Sequence, residues 1–145
     1  MHEMTRDEWW SFAGSGTLTG KLGVVRADGS PHVTPVWFVL NEGPDGDEII
    51  FNTGADTVKG KALRRDPRIS FAVDNQTPPY SYVQFTAEAT LSEDVDEMLP
   101  WATAIGGRYM GEDNAEVFGK RNAVAGELLV RARITKVVAH AELAD

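Results

Sequence analysis

The 145-residue chain contains no cysteine. This excludes a disulfide framework, a thiolate nucleophile and a thiolate-ligated metal, and it agrees with a reducing, cytoplasmic setting. Positive charge is scarce: 14 Lys and Arg stand against 22 Asp and Glu, for a formal net charge of -8. General binding to nucleic acid or to an anionic membrane surface needs a basic face, so neither is expected. No apolar run approaches the ~18 residues of a membrane helix, so no membrane association is expected. The opening MHEMTRDEWW has no apolar core of signal-peptide length. His2, His32 and His140 share no ligand spacing, and no metal site is expected. Gly14–Gly20 is glycine-rich but follows a helical pattern rather than a strand, which is the wrong context for a dinucleotide loop. No serine has a nucleophile-elbow context, and no catalytic residue can be singled out.

What is present is ordinary for one folded domain, residues 1–145, with 42% hydrophobic and 25% charged residues. Thr5 and Glu8 form a capping-box pattern that opens a helix to about Ala13. Six strands are expected: 21–26, 32–40, 48–53, 68–74, 81–92 and 128–140. Asp28-Gly29 suits a tight hairpin turn. Pro35 inside the second strand marks an edge, a bulge or a ligand approach. A helix from about Val58 to Arg65 is capped by Asp56 or Thr57 and closed by Pro67. An acidic helix from Glu93 to Ile105 is expected to be interrupted by Pro100 and stopped by Gly106-Gly107. Another helix is expected over Glu112–Ala123. Hairpin links dominate, which favours a mainly β, antiparallel barrel with flanking helices.

One stretch carries a chemical signal. Asn52–Lys61 reads as a strand, a polar turn and a helix start bearing lysines. Such a start presents free N–H groups and partial positive charge to a phosphate. The same pattern also suits an ordinary capped, solvated basic helix. Five of the 14 basic residues fall between Lys59 and Arg68, with only Asp66 to offset them. Trp37, Phe38, Tyr80, Tyr82, Trp101 and Tyr109 suit either a planar-ligand pocket or core and dimer packing.

Three runs, DGSPHVTPVWF (Asp28–Phe38), IIFNTGADTVKGKALRRDPRISFAV (Ile49–Val73) and YSYVQFTAEATL (Tyr80–Leu91), resemble the FMN-binding split-barrel superfamily related to pyridoxamine-phosphate oxidases. RYMGEDNAEVF (Arg108–Phe118) with the closing LLVRARITKVVAH resembles its F420-dependent branch of short actinobacterial members. The resemblance implies a six-stranded split barrel acting as a homodimer, with cofactor grooves between subunits. It implies that Pro35, Val36 and Trp37 back a deazaflavin ring and that Asn52 and Thr53 face it. Thr57, Lys59 and Lys61 would receive the phosphate, Lys21 the acidic tail, and Tyr80 and Tyr82 would come from the partner chain. Position Thr57 is often basic in relatives. The implied function is hydride transfer from reduced F420 to an electron-poor small-molecule acceptor. FMN chemistry, or binding of F420, flavin or haem-type molecules without turnover, are the alternatives.

Overall fold

The computed structural model describes the whole chain, Met1–Asp145. Helix α1 (Arg6–Ala13) opens as the sequence dictates. Thr5 Oγ1 accepts from Glu8 N at 3.3 Å, and Glu8 Oε1 accepts from Thr5 N at 3.0 Å. The pair satisfies two N–H groups that a first turn otherwise leaves without partners.

Eight strands form one antiparallel sheet: β1 (His2–Glu3), β2 (Gly20–Val25), β3 (Pro31–Val36), β4 (Val39–Gly43), β5 (Gly46–Gly54), β6 (Arg68–Asp74), β7 (Tyr82–Ser92) and β8 (Glu127–Ala141). Their order is β3-β2-β6-β7-β8-β5-β4, with β1 on the side of β8. The two ends of that order, β3 and β4, are joined by Trp37 and Phe38 alone. Laid flat, seven strands at ~4.8 Å spacing would part these ends by about 29 Å. Three Cα steps of ~3.8 Å cover at most about 11 Å. The sheet must therefore curl upon itself, and the result is a barrel.

The strand count corrects the expected six. β1 is a short addition, and the expected strand 32–40 is two strands broken at Trp37-Phe38. Phe38 is fully buried and meets Phe71 edge-on at 5.0 Å, while Trp37 remains half-buried outside. A period-2 run cannot announce this change of partner strand, because both halves alternate correctly. Pro35 lies in β3, whose single neighbour is β2, as a proline without a ladder N–H requires.

The barrel interior holds Leu22, Phe38, Phe51, Phe71 and Phe85, each fully buried. A second cluster of Ile50, Met98, Ala102, Ala123 and Leu129 lies between the outer face of β5 and β8 and the helices α3 (Val95–Met110) and α4 (Ala115–Asn122). This is why Leu128, Leu129 and Val130 are buried in succession instead of alternating. Between β7 and β8 the register shifts at Thr86/Ala87, leaving Thr135 as an extra residue that bends the long strand.

Helix α3 corrects a second expectation. It runs through Pro100 and through Gly106-Gly107, and ends at Gly111 with φ 91°. These glycines serve close packing rather than termination. A Cβ at Gly106 would stand 2.7 Å from Phe118 Cβ, and one at Gly119 would stand 2.1 Å from Thr103 Oγ1. Residues Glu112–Asn114 form a 3₁₀ turn, and α4 follows in place of one continuous helix. Helix α2 (Val58–Arg65) forms where expected. No helix is long and apolar enough to cross a membrane.

Candidate functional site

Strand β5 ends in Asn52-Thr53-Gly54, and after three residues, Ala55 to Thr57, the chain enters α2 at Val58. Thr57 caps that helix: its hydroxyl accepts from Gly60 N at 3.1 Å and donates to Gly54 O at 2.7 Å. The turn is held from the other side by Ala55 N donating to Gly126 O at 2.8 Å. Gly60 lets the helix sit against the turn, since a Cβ there would stand 2.2 Å from Gly54 O. The first N–H groups of α2, the Thr57 side chain and Lys59 thus sit together at a fixed helix start.

This start opens onto a cleft of about 300 Å³ lined by Pro35, Val36 and Trp37 from the β3–β4 junction, Asn52, Thr53 and Gly54 from β5, and Thr57 and Lys59. Ile105 of α3, Asn122 of α4 and Glu127 of β8 complete it. Trp37 is held as a wall: it stacks on Tyr109 at 5.0 Å with 4° between the planes, and Phe118 flanks it at 6.2 Å. Tyr109 is pinned in turn, donating to Leu18 O at 2.8 Å and accepting from Phe38 N at 3.2 Å. Burial raises the Tyr109 phenol above its usual range. Val36 is only 9% exposed and packs in the barrel core.

Behind this wall lies Arg108, whose guanidinium donates to main-chain carbonyls alone. The partners are Phe38 O at 2.7 Å, Ala13 O at 2.8 Å and Gly16 O at 3.0 Å, with Ser15 O and Leu18 O both at 3.3 Å. Burial lowers its pKa, yet an arginine stays charged. It ties the α1–β2 loop to the β3–β4 junction. A lone arginine in a helical pattern reads as solvated, so nothing in the sequence announces this role.

Asn52 and Glu127 are joined across the cleft floor. Asn52 Nδ2 donates to Glu127 Oε1 at 3.0 Å and to Asn122 O at 3.4 Å. Burial raises the Glu127 carboxyl above its ordinary value, while the Asn52 hydrogen bond and the Lys59 charge oppose that shift. Glu127 and Asn122 were not among the expected site residues. In the sequence Glu127 stands just before the expected last strand, 128–140, and its register partner Gly54 is known only once β5 pairs with β8.

Four expected residues do not line this cleft within one chain. Lys61 is two positions beyond Lys59, about 200° around the helix, and so points away from the face Lys59 uses. Lys21 is the register partner of Pro35, but its ammonium donates to Asp74 Oδ1 at 2.7 Å and to Thr19 O at 3.2 Å. Tyr80 lies on the exposed loop before β7 with φ 67°. The Tyr82 hydroxyl bonds His140 Nδ1 at 3.2 Å. The basic island is also thinner than the sequence implies: Arg64 pairs with Glu93 at 2.6 Å and Arg68 with Asp66 at 2.7 Å. That pairing holds Asp66 at about 2. Lys59, Lys61 and Arg65 keep no such partner.

A larger cleft of about 580 Å³ lies around Glu48, Glu88, Glu97, Arg131 and Arg133. Both of its arginines are already paired, Arg131 with Glu48 at 2.9 Å and Glu97 at 3.4 Å, and Arg133 with Glu88 at 3.5 Å, and its carboxylates outnumber them. It offers a ligand neither an aromatic wall nor a free cation.

A family model described as pyridoxamine 5′-phosphate oxidase matches residues 15–140. Among solved structures, a conserved hypothetical protein from Mycobacterium tuberculosis is 27% identical with a TM-score of 0.80, covering 94% of this chain and 84% of that one. A structure named F420 reductase is 19% identical with a TM-score of 0.67, covering 88% of this chain and 94% of that one. A FAD-binding protein from Mesorhizobium loti is 17% identical with a TM-score of 0.65, covering 95% of each chain. At the last two identities the likeness concerns the fold alone. No curated protein matches the sequence.

Proposed function

The chain belongs to the pyridoxamine 5′-phosphate oxidase family, and from that premise we propose that it is an F420-dependent reductase working as a homodimer. The observation that carries the reading is the single cleft that sets a helix start with Thr57 and Lys59 beside a fixed tryptophan wall. A planar ring and a phosphate a short tether apart match those two features. Lys59 and the first N–H groups of α2 would hold the phosphate. Trp37, Pro35 and the main chain of Val36 would back the ring, with Asn52 and Thr53 on its edge. Lys61 and Arg65, on the far face of α2, are the unpaired cations an acidic tail would meet.

The chemistry supplied by bound, reduced F420 is a hydride for an electron-poor conjugated acceptor such as an unsaturated lactone, quinone, tetrapyrrole or xenobiotic. The protein orients the ring and shields one of its faces. One chain provides one wall, and a second copy would bring Tyr80 and Tyr82, which their own chain leaves outside the cleft. The exposed Val33 on edge strand β3 fits burial against that copy.

The Lys21–Asp74 pair favours a second reading, an FMN-dependent oxidoreductase, because it withdraws one cation from any acidic tail. The deciding experiment titrates apo-protein with F420 and with FMN by fluorescence, then screens acceptors with the reduced form of whichever binds. Preference for F420 with acceptor turnover is expected. Preference for FMN would move the protein to the flavin reading, and binding of neither would remove the cofactor assignment. Sedimentation equilibrium tests the dimer.

A further inference from the structure

Resting on the cofactor-cleft reading above, we propose that Glu127 makes the anion site selective for a singly charged phosphodiester over a doubly charged phosphomonoester. Lys59 and Glu127 are the only ionisable side chains lining the cleft, so its protein charges sum to zero. A site built for a phosphate dianion would gather cations and exclude carboxylates, and this one holds a carboxylate in place. Asn52 fixes Glu127 Oε1 at 3.0 Å and is itself anchored on Asn122 O. Gly54, opposite in register, lies so close that a Cβ there would stand 3.2 Å from Glu127 Oε2. The carboxylate is thus held beside Gly54 and Asn52 at the cleft.

The charged group facing Glu127 from α2 is Lys59. The groups from β5 and α4, Asn52 and Asn122, are neutral. Burial already disfavours negative charge at this position. A phosphomonoester has its second pKa near 6 and carries almost two charges above neutrality, whereas a diester carries one. The second charge of a monoester would add repulsion from Glu127 with no second cation to offset it. FMN and pyridoxamine phosphate are monoesters, while F420 holds its phosphate as a diester. On these grounds Glu127 separates the two cofactor classes.

The test uses three ligands with one deazaflavin ring: the phosphate-free alcohol, its 5′-phosphate, and the methyl diester of that phosphate. Calorimetric titration at about pH 8 keeps the monoester dianionic. Wild-type protein should bind the diester about tenfold more tightly than the monoester, the scale of one extra charge–charge contact in a partly screened site. Glu127→Gln should tighten the monoester to parity and leave the alcohol unchanged, and the unchanged alcohol also reports an intact fold. Glu127→Asp, which keeps the charge, should keep the preference. An unaltered diester-to-monoester ratio in Glu127→Gln overturns the selectivity role while leaving the cleft assignment standing. Equal binding of all three ligands, or of none, overturns the cleft assignment and the selectivity role together.

Discussion

Gly60→Ala sets two opposing effects of known size against each other. Alanine is the better helix former by about 1 kcal/mol, so on propensity alone the substitution would stabilise α2. The new Cβ, however, would lie 2.2 Å from Gly54 O, 2.9 Å from Ala55 O and 3.0 Å from Ala55 Cα. All three are main-chain atoms, so no rotamer change relieves the overlap. Either α2 must lift from the turn or the β5 end must move. Overpacking of this kind costs about 1–3 kcal/mol. Displacement also strains the Thr57 Oγ1–Gly60 N cap, a group worth about 1 kcal/mol. The net expectation is a loss of about 1–3 kcal/mol, a fall in Tm of about 3–9 °C for a chain of this size. Because Thr57 and Lys59 ride on the same turn, cofactor affinity should fall with it. Urea unfolding followed by tryptophan fluorescence measures the first effect and ligand titration the second. Lys61→Ala, on the exposed face, is the control and should stay within about 0.5 kcal/mol in stability. A Gly60→Ala protein as stable as wild type, binding cofactor normally, would refute the close approach of α2 to the β5 end.

Lys59→Ala should weaken cofactor binding by about 1.5–3 kcal/mol through loss of a charge-assisted phosphate contact, with the urea midpoint unmoved; unchanged affinity in titration would place the phosphate elsewhere. Arg108→Met should cost about 2–4 kcal/mol in urea unfolding, because the carbonyls of Phe38, Ala13 and Gly16 lose their donor together. Glu127→Gln bears on pH dependence. The folded-state pKa of Glu127 is raised above 4.5, so the folded chain holds the proton more tightly than the unfolded one. Its contribution is favourable at low pH and is lost as pH rises through the folded value. The stability of wild type relative to Glu127→Gln should therefore fall as pH rises from about 4.5 towards neutrality, and a flat difference in urea midpoints would contradict the burial of that carboxyl.

Features set by neighbours in the chain are legible in the sequence alone. The Thr5–Glu8 box, the Asp28-Gly29 turn, a cap for α2 at Asp56 or Thr57 and the alternation along β6 and β7 each depend on residues a few positions apart, whose chemistry is local. The cleft-forming group Pro35, Trp37, Asn52, Thr53, Thr57 and Lys59 is legible too, but through resemblance. Periodicity says which residues share a face and is silent on what that face meets. Four things are decided only when distant segments come together. The run 32–40 divides between two strands because the barrel closes there. Gly106 and Gly107 continue a helix because α4 packs closely on the first and Glu112 of the 3₁₀ turn on the second. Lys21 is claimed by Asp74, 53 positions away. Asn52 meets Glu127 across 75 positions. The hydrogen bonds of turns and caps reach about four residues along the chain, so the sequence carries them openly. The charge balance of the cleft depends on which strands become neighbours, and that is determined by burying the whole apolar sheet at once.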